Sequence, residues 1–123
     1  MKFIALLFAC AFLTFLPAHG HAAPDTAESL AITHLIQHVR ESGLQFIRNG
    51  QSYAAHDAAD HMETKLKYAR NKLSTADEFI THVASRSSMT NQPYYVVLAD
   101  GKKEELGPWL YVELEKYRAQ QAK

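Results

Sequence analysis

Ala55, Ala58, Ala59, Met62, Leu66, Ala69 and Leu73 recur at steps of three and four, the most regular amphipathic pattern in the chain. Such spacing puts them on one face of a helix, here expected from about Ser52 to Leu73. The alanines make that face slim, so another element can approach it closely. The arrangement of the rest of the chain has to satisfy that helix.

The first residues point elsewhere. Lys2 precedes FIALLFACAFLTFL, an apolar run of 14 residues from Phe3 to Leu16. A bilayer span needs about 20 such residues. A positive start, a short apolar core, Pro17 and the small residues AHGHAAP match a secretory signal. Cleavage is expected after Ala22, with Gly20 and Ala23 as neighbouring alternatives. Leu7-Phe8-Ala9-Cys10 loosely resembles a lipobox, but bulky Phe8 sits where a small residue is preferred. The apolar run also continues past Cys10, so lipidation is disfavoured. Removing 22 of the 123 residues leaves 101 and no cysteine. That excludes a disulfide, a thiol nucleophile or a thiolate metal site in the mature chain.

The mature chain carries 12 Lys plus Arg against 13 Asp plus Glu, interspersed and without a basic block. Strong electrostatic binding to nucleic acid or to an anionic membrane is therefore not indicated. About a hundred residues can bury one modest core.

Three further helices frame the pattern. Asp25 and Glu28 form a capping box for a helix from about Thr26 to Ser42, with Ile32, Leu35, Ile36 and Val39 inward and Gly43 as its stop. Thr75-Ala76-Asp77-Glu78 is a second capping box, opening a shorter helix through Phe79, Ile80, Val83 and Ala84. Gly107-Pro108 begins a last helix, with Leu110, Leu114 and Tyr117 inward. Leu44 to Arg48 reads as a short strand or as the approach to the second helix, and Asn49-Gly50 as a turn. Tyr94 to Leu98 has strong β propensity, Asp100-Gly101 is a hairpin turn, and KKEEL is a poor returning strand. The expected fold is α+β, mainly α, with about four helices and a small β-hairpin element. A single domain is expected over 23–123, after a signal peptide over 1–22.

Several polar constellations are candidates for function. His34 and His38 lie four apart on the first helix, a spacing that can serve a metal. They face away from its apolar stripe beside Glu41, so a weak metal site competes with a solvated face. Tyr53, Asp57, His61 and Lys65 form a column at steps of four. It reads as a structural edge, as a ligand-contacting edge, or as Asp57 orienting His61 as a base. Arg48 ends an apolar segment, held by a buried carboxylate or backbone carbonyls, or else facing an anionic ligand. Ser85, Ser87, Ser88, Thr90 and Asn91 form a hydroxyl-rich loop. Beyond a helix C-terminus it suits backbone capping better than phosphate binding. No elbow of the GxSxG kind marks a serine nucleophile. Tyr94, Tyr95, Trp109 and Tyr111 supply core and edges, or an exposed platform for a glycan or peptide.

Taken together, Phe46-Ile47-Arg48-Asn49-Gly50, Tyr53, His61, Lys65-Leu66, Thr75-Ala76 and Phe79-Ile80 resemble the YfeK-like family. Ala84-Ser85, Ser87-Ser88, Thr90, Pro93-Tyr94, Gly101 and Trp109-Leu110 continue the match over nearly all of the mature chain. These are small exported proteins of Gram-negative bacteria with a domain of unknown function. One departure is Asn91, where the family pattern has Gly; Asn tolerates positive φ, so the turn is expected to survive. The resemblance implies export to the periplasm and no known activity. It also implies that Arg48, Asn49, Tyr53 and His61 lie near Ser85, Ser87 and Ser88.

The reading favours a non-enzymatic periplasmic module that binds a small ligand, a glycan or an envelope protein. No cofactor, nucleic acid or stable membrane span after signal cleavage is expected. The alternatives are an envelope hydrolase with His61 as base, or a weak metal binder through His34 and His38.

Overall fold

The computed structural model describes residues 23–123, so the expected export signal lies outside the described residues. Asp25 is extended ahead of the first helix and accepts from the Glu28 amide at 2.9 Å, starting α1 (Thr26–Glu41). Gly43, at φ +67°, ends it in the left-handed conformation that glycine adopts freely. Ile32, Leu35, Ile36 and Val39 are buried, as the spacing requires.

Glu28 corrects the first capping box. Its carboxylate accepts from the Ala76 amide at 2.7 Å and lies 3.6 Å from Arg118. A residue expected to close its own helix thus caps α3 (Ala76–Phe79), 48 positions away. The second box forms nearly as read. Thr75 accepts from the Glu78 amide, and Glu78 reaches back to the Ser74 amide, one residue before the cap. After one α-helical turn the segment widens into a π-helix, Ile80–Ala84. Phe79, Ile80, Val83 and Ala84 are all buried.

The largest correction concerns the strands. Gln45–Arg48 (β1) and Gln51–Ala54 (β2) form an antiparallel hairpin. Asn49 at φ +50° and Gly50 at φ +78° make its two-residue turn. Two successive positive φ values match the right-handed twist of the flanking strands, which is why Asn-Gly closes such hairpins. The helix expected from Ser52 therefore begins three residues later, as α2 (Ala55–Ala69), followed by a 3-10 turn at Arg70–Lys72. Its stripe holds, with Ala55, Ala59, Met62 and Leu66 buried.

Tyr95–Val97 (β3) and Lys103–Glu105 (β4) form the short hairpin expected at Asp100-Gly101. The last helix, α4 (Leu106–Gln121), carries Pro108 in its first turn. The two hairpins join through β1 and β3 into one antiparallel sheet of order β2-β1-β3-β4. The expected α+β, mainly α fold with four helices is present among the described residues, and its β element is larger than expected, a four-stranded sheet of two hairpins.

Phe46 sits opposite Tyr53 on one side and Val96 on the other. Phe46 and Val96 enter a core shared with all four helices. Side chains alternate along a strand, so Arg48, two residues on, shares the core-facing side with Phe46. It lies where that core runs out.

Glu28→Ala leaves the amide of buried Ala76 without its acceptor and breaks the link between α1 and α3. Urea denaturation is expected to show a loss of about 1–2 kcal/mol. Glu28→Gln, which keeps an acceptor oxygen, is expected to lose less.

Candidate functional site

The strand register decides which polar side chains meet. Arg48 and Tyr53 project from one face of the β1–β2 hairpin, and α2 packs against both strands, bringing His61 to them. Between hairpin and helix lies a cleft of about 330 Å³. Phe46, Ala58, Met62, Tyr94 and Leu106 supply apolar wall, while Arg48, Tyr53, Asp57 and His61 bring polar groups.

Arg48 is half-buried, and among the described residues no carboxylate lies within 4 Å of it. Its Nη1 lies against both ring nitrogens of His61, 2.7 Å from Nδ1, and a neutral imidazole offers one of the two as an acceptor. Its Nη2 donates to the Tyr53 hydroxyl at 3.1 Å, and that hydroxyl donates to Gln51 Oε1 at 2.9 Å. The guanidinium carbon lies 4.8 Å from the Tyr53 ring centre, close enough for a cation–π contact. The expected buried carboxylate or backbone carbonyl is thus replaced by two neutral side chains.

Such a geometry requires a neutral His61, since a protonated ring nitrogen cannot accept from a guanidinium. Burial holds the His61 pKa below its ordinary value, and the charges of Arg48 and then Lys65 push the same way. The Lys65 pKa is also lowered, by burial first and then by Arg48. Burial raises that of Tyr94, whose ring stands edge-on to His61.

Lys65 stands behind this wall. Its ammonium donates to the carbonyls of Val83 (2.6 Å) and Arg86 (3.2 Å) and to the Tyr94 hydroxyl (3.3 Å). Carbonyls at the end of the π-helix and just past it are natural acceptors for a cation. Lys65 pins that segment and adds positive field to the cleft without lining it.

The column of four residues does not survive as a column. Tyr53 belongs to β2, and the Asp57 carboxylate pairs with exposed His56 at 3.1 Å instead of orienting His61. The serines also separate. Ser87 is buried, and its hydroxyl accepts from the amides of Met89 and Thr90, closing its own turn. Asn49 donates to Ser87 Oγ at 3.5 Å and accepts from Thr90 Oγ1 at 2.7 Å, tying the hairpin tip to that loop. Ser85 donates to the Thr81 carbonyl, and its Cβ lies 3.1 Å from the position a side chain on Gly107 would occupy. Ser88 is exposed, on a separate shallow depression with Lys65 and Tyr68. Only Ser87 therefore adjoins the Arg48 segment, as a brace. Asn91 has φ +59°, so the turn it was expected to preserve is present.

His34 and His38 are not on a solvated face. Helix α4 covers them in part, and Glu113, rather than Glu41, is their carboxylate, 2.9 Å from His34 and 3.7 Å from His38. His34 stacks on Tyr117 and His38 leans on Trp109. The spacing that gives α1 its apolar stripe carries no sign of a partner for its polar side. Burial lowers the His38 pKa, against the opposing pull of Glu113. Among the described residues no group of three or more His, Cys, Asp and Glu is arranged to hold a metal. Nor is any described helix long and apolar enough to cross a membrane.

Comparison with known proteins matches residues 26–118 to a family of unknown function, DUF5329. The chain belongs to this family. The family's description names no chemistry, and the matched span takes in every residue of the cleft. The chain is also 36% identical over 85 residues to the uncharacterised protein YfeK of Salmonella typhimurium, covering 68% of this chain and 69% of that one. The resemblance read from the FIRNG and serine-loop motifs is thereby borne out. No solved structure matches.

Because His61 is held neutral in the fold, protons bind it more readily in the unfolded chain. The stability it contributes is complete above its unfolded pKa of about 6.5 and is lost as pH falls through its lowered folded pKa. His61→Gln is expected to shrink the drop in thermal midpoint between pH 7.5 and pH 5, leaving the share due to His38. Thermal melts of both proteins across that range check it; equal drops would contradict it.

Proposed function

We propose that this protein is an exported periplasmic module, a single small domain over 23–123, that binds a small ligand and performs no chemistry on it. Lys2, the apolar run and the small residues before Pro24 support export. One observation carries the binding role: an apolar-walled cleft of about 330 Å³ with Arg48 at its rim. That size is at the lower end of small-molecule sites, which combine apolar walls with a few polar groups that fix orientation.

A hydrolase with His61 as general base is less well supported. A base must take up a proton at a free ring nitrogen, and a guanidinium occupies the ring edge of His61 while disfavouring its protonation. Asp57, the residue that would orient it, is engaged with His56.

Native mass spectrometry of protein purified gently from periplasm, with and without chelator, tests the proposal. A small-molecule adduct is expected that survives chelator and disappears when Ala58→Trp fills the cleft. A clean apo mass would contradict tight small-ligand binding and turn attention to crosslinked protein or glycan partners. An adduct removed by chelator would favour the metal reading instead.

A further inference from the structure

The composition of the cleft says more than that it is a site. Four titratable groups around Arg48 touch it or feel its charge, and none is a carboxylate: His61 is neutral, Tyr53 and Tyr94 are phenols, and Lys65 is a second cation held by carbonyls. The carboxylate lining this cleft, that of Asp57, pairs with His56, and both side chains are exposed to solvent. Two cations thus act on an apolar-walled space with one exposed carboxylate at its margin, whose contact with His56 is ionic only when that ring is protonated. A guanidinium has five N–H donors in a planar fork. Here one nitrogen contacts His61 and another donates to Tyr53, which leaves donors for a further acceptor.

We propose that the cleft takes a carboxylate whose body is apolar, the carboxylate meeting the Arg48 fork and the body lying along Phe46, Met62 and Leu106. This deepens the small-ligand reading and rests on it. A single guanidinium in direct contact suits a monoanion. A phosphate dianion calls for a second contacting cation, and Lys65 is spent on the Val83 and Arg86 carbonyls. Fork-to-carboxylate pairing is also the geometry for which arginine is best shaped. The walls reject a strongly hydrated body such as a sugar, because burying its hydroxyls here would leave them without partners.

The test uses three probes that share one chain and differ in head charge: octanoate, octanamide and octylamine. Isothermal titration of the full mature chain at pH 7 and low salt is expected to rank octanoate at least tenfold tighter than octanamide, with octylamine weakest. A charge-assisted hydrogen bond is worth about 1.5–3 kcal/mol, which corresponds to about tenfold or more. Arg48→Gln is expected to abolish the preference for octanoate over octanamide, and Arg48→Lys to retain only part of it. Should these variants fail to fold by circular dichroism, the wild-type protein still decides. Octanoate is expected to shift the Arg48 Nε–H resonance and the His61 ring, whereas octanamide shifts only methyl and aromatic resonances of the wall. If all three probes bind alike within the cleft, the anion inference falls and the small-ligand reading stands. If none binds and Ala58→Trp leaves the native mass unchanged, both fall.

Discussion

Strand β1 is paired along both edges, and the rest of the structure depends on that double pairing. Phe46 lies opposite Tyr53 in the strand that follows it and opposite Val96 in a strand fifty residues away. The near pairing is local and is set by the Asn49-Gly50 turn. The distant pairing joins two hairpins into one sheet and brings the serine loop, Tyr94 and the first turn of α4 alongside α2. A slip of one residue along β1 would turn Phe46 outward and carry Arg48 to the opposite face. Core and cleft are therefore specified by one register.

That register gives Arg48 an unusual position. A half-buried cation normally pairs with a carboxylate, because burying charge without compensation is costly. Here the compensation comes from a neutral imidazole, a phenol hydroxyl and the π face of Tyr53, all weaker partners for a full charge. The effect spreads to neighbouring groups. His61 is held in its neutral form and the Lys65 pKa falls, each partly because of Arg48. Arg48 and Lys65 thus set two cations at the cleft against one exposed carboxylate, that of Asp57. A complementary anion would relieve that imbalance as well as fill the apolar space.

Local chemistry made much of this fold legible in the sequence. The Asp25 cap, the Thr75–Glu78 pair, the buried stripes of α1 and α2, the Asp100-Gly101 hairpin and the positive φ at Asn91 each follow from residues within a few positions of one another. Strand β2 was missed because Ser52, Tyr53 and Ala54 continue the alanine-rich, step-of-four pattern of the helix behind them. The signal against that reading was Asn49-Gly50, which favours a tight hairpin and so requires a strand on each side. Longer-range features were out of reach. Periodicity shows which helix face is apolar, but not that α4 covers the polar side of α1 and meets His34 and His38 with Glu113. Nor does it show that Glu28 caps a helix elsewhere. In the site, Arg48, Tyr53 and His61 were identified together and do meet. Lys65, Ser87 and Asn49 proved to be braces around them, and Ser85 and Ser88 lie apart.

The contact between Arg48 and His61 joins the strand register to the charge of the cleft, and it fixes one observable. Nitrogen-15 correlation spectroscopy of the imidazole rings of the ligand-free protein at pH 7 reads the protonation state of each histidine directly. The expected result is a neutral His61 ring whose titration midpoint lies below the ordinary histidine value. A His61 imidazolium at pH 7 would contradict the structure, because no guanidinium could then donate to that ring and the contact between Arg48 and His61 would not exist as described.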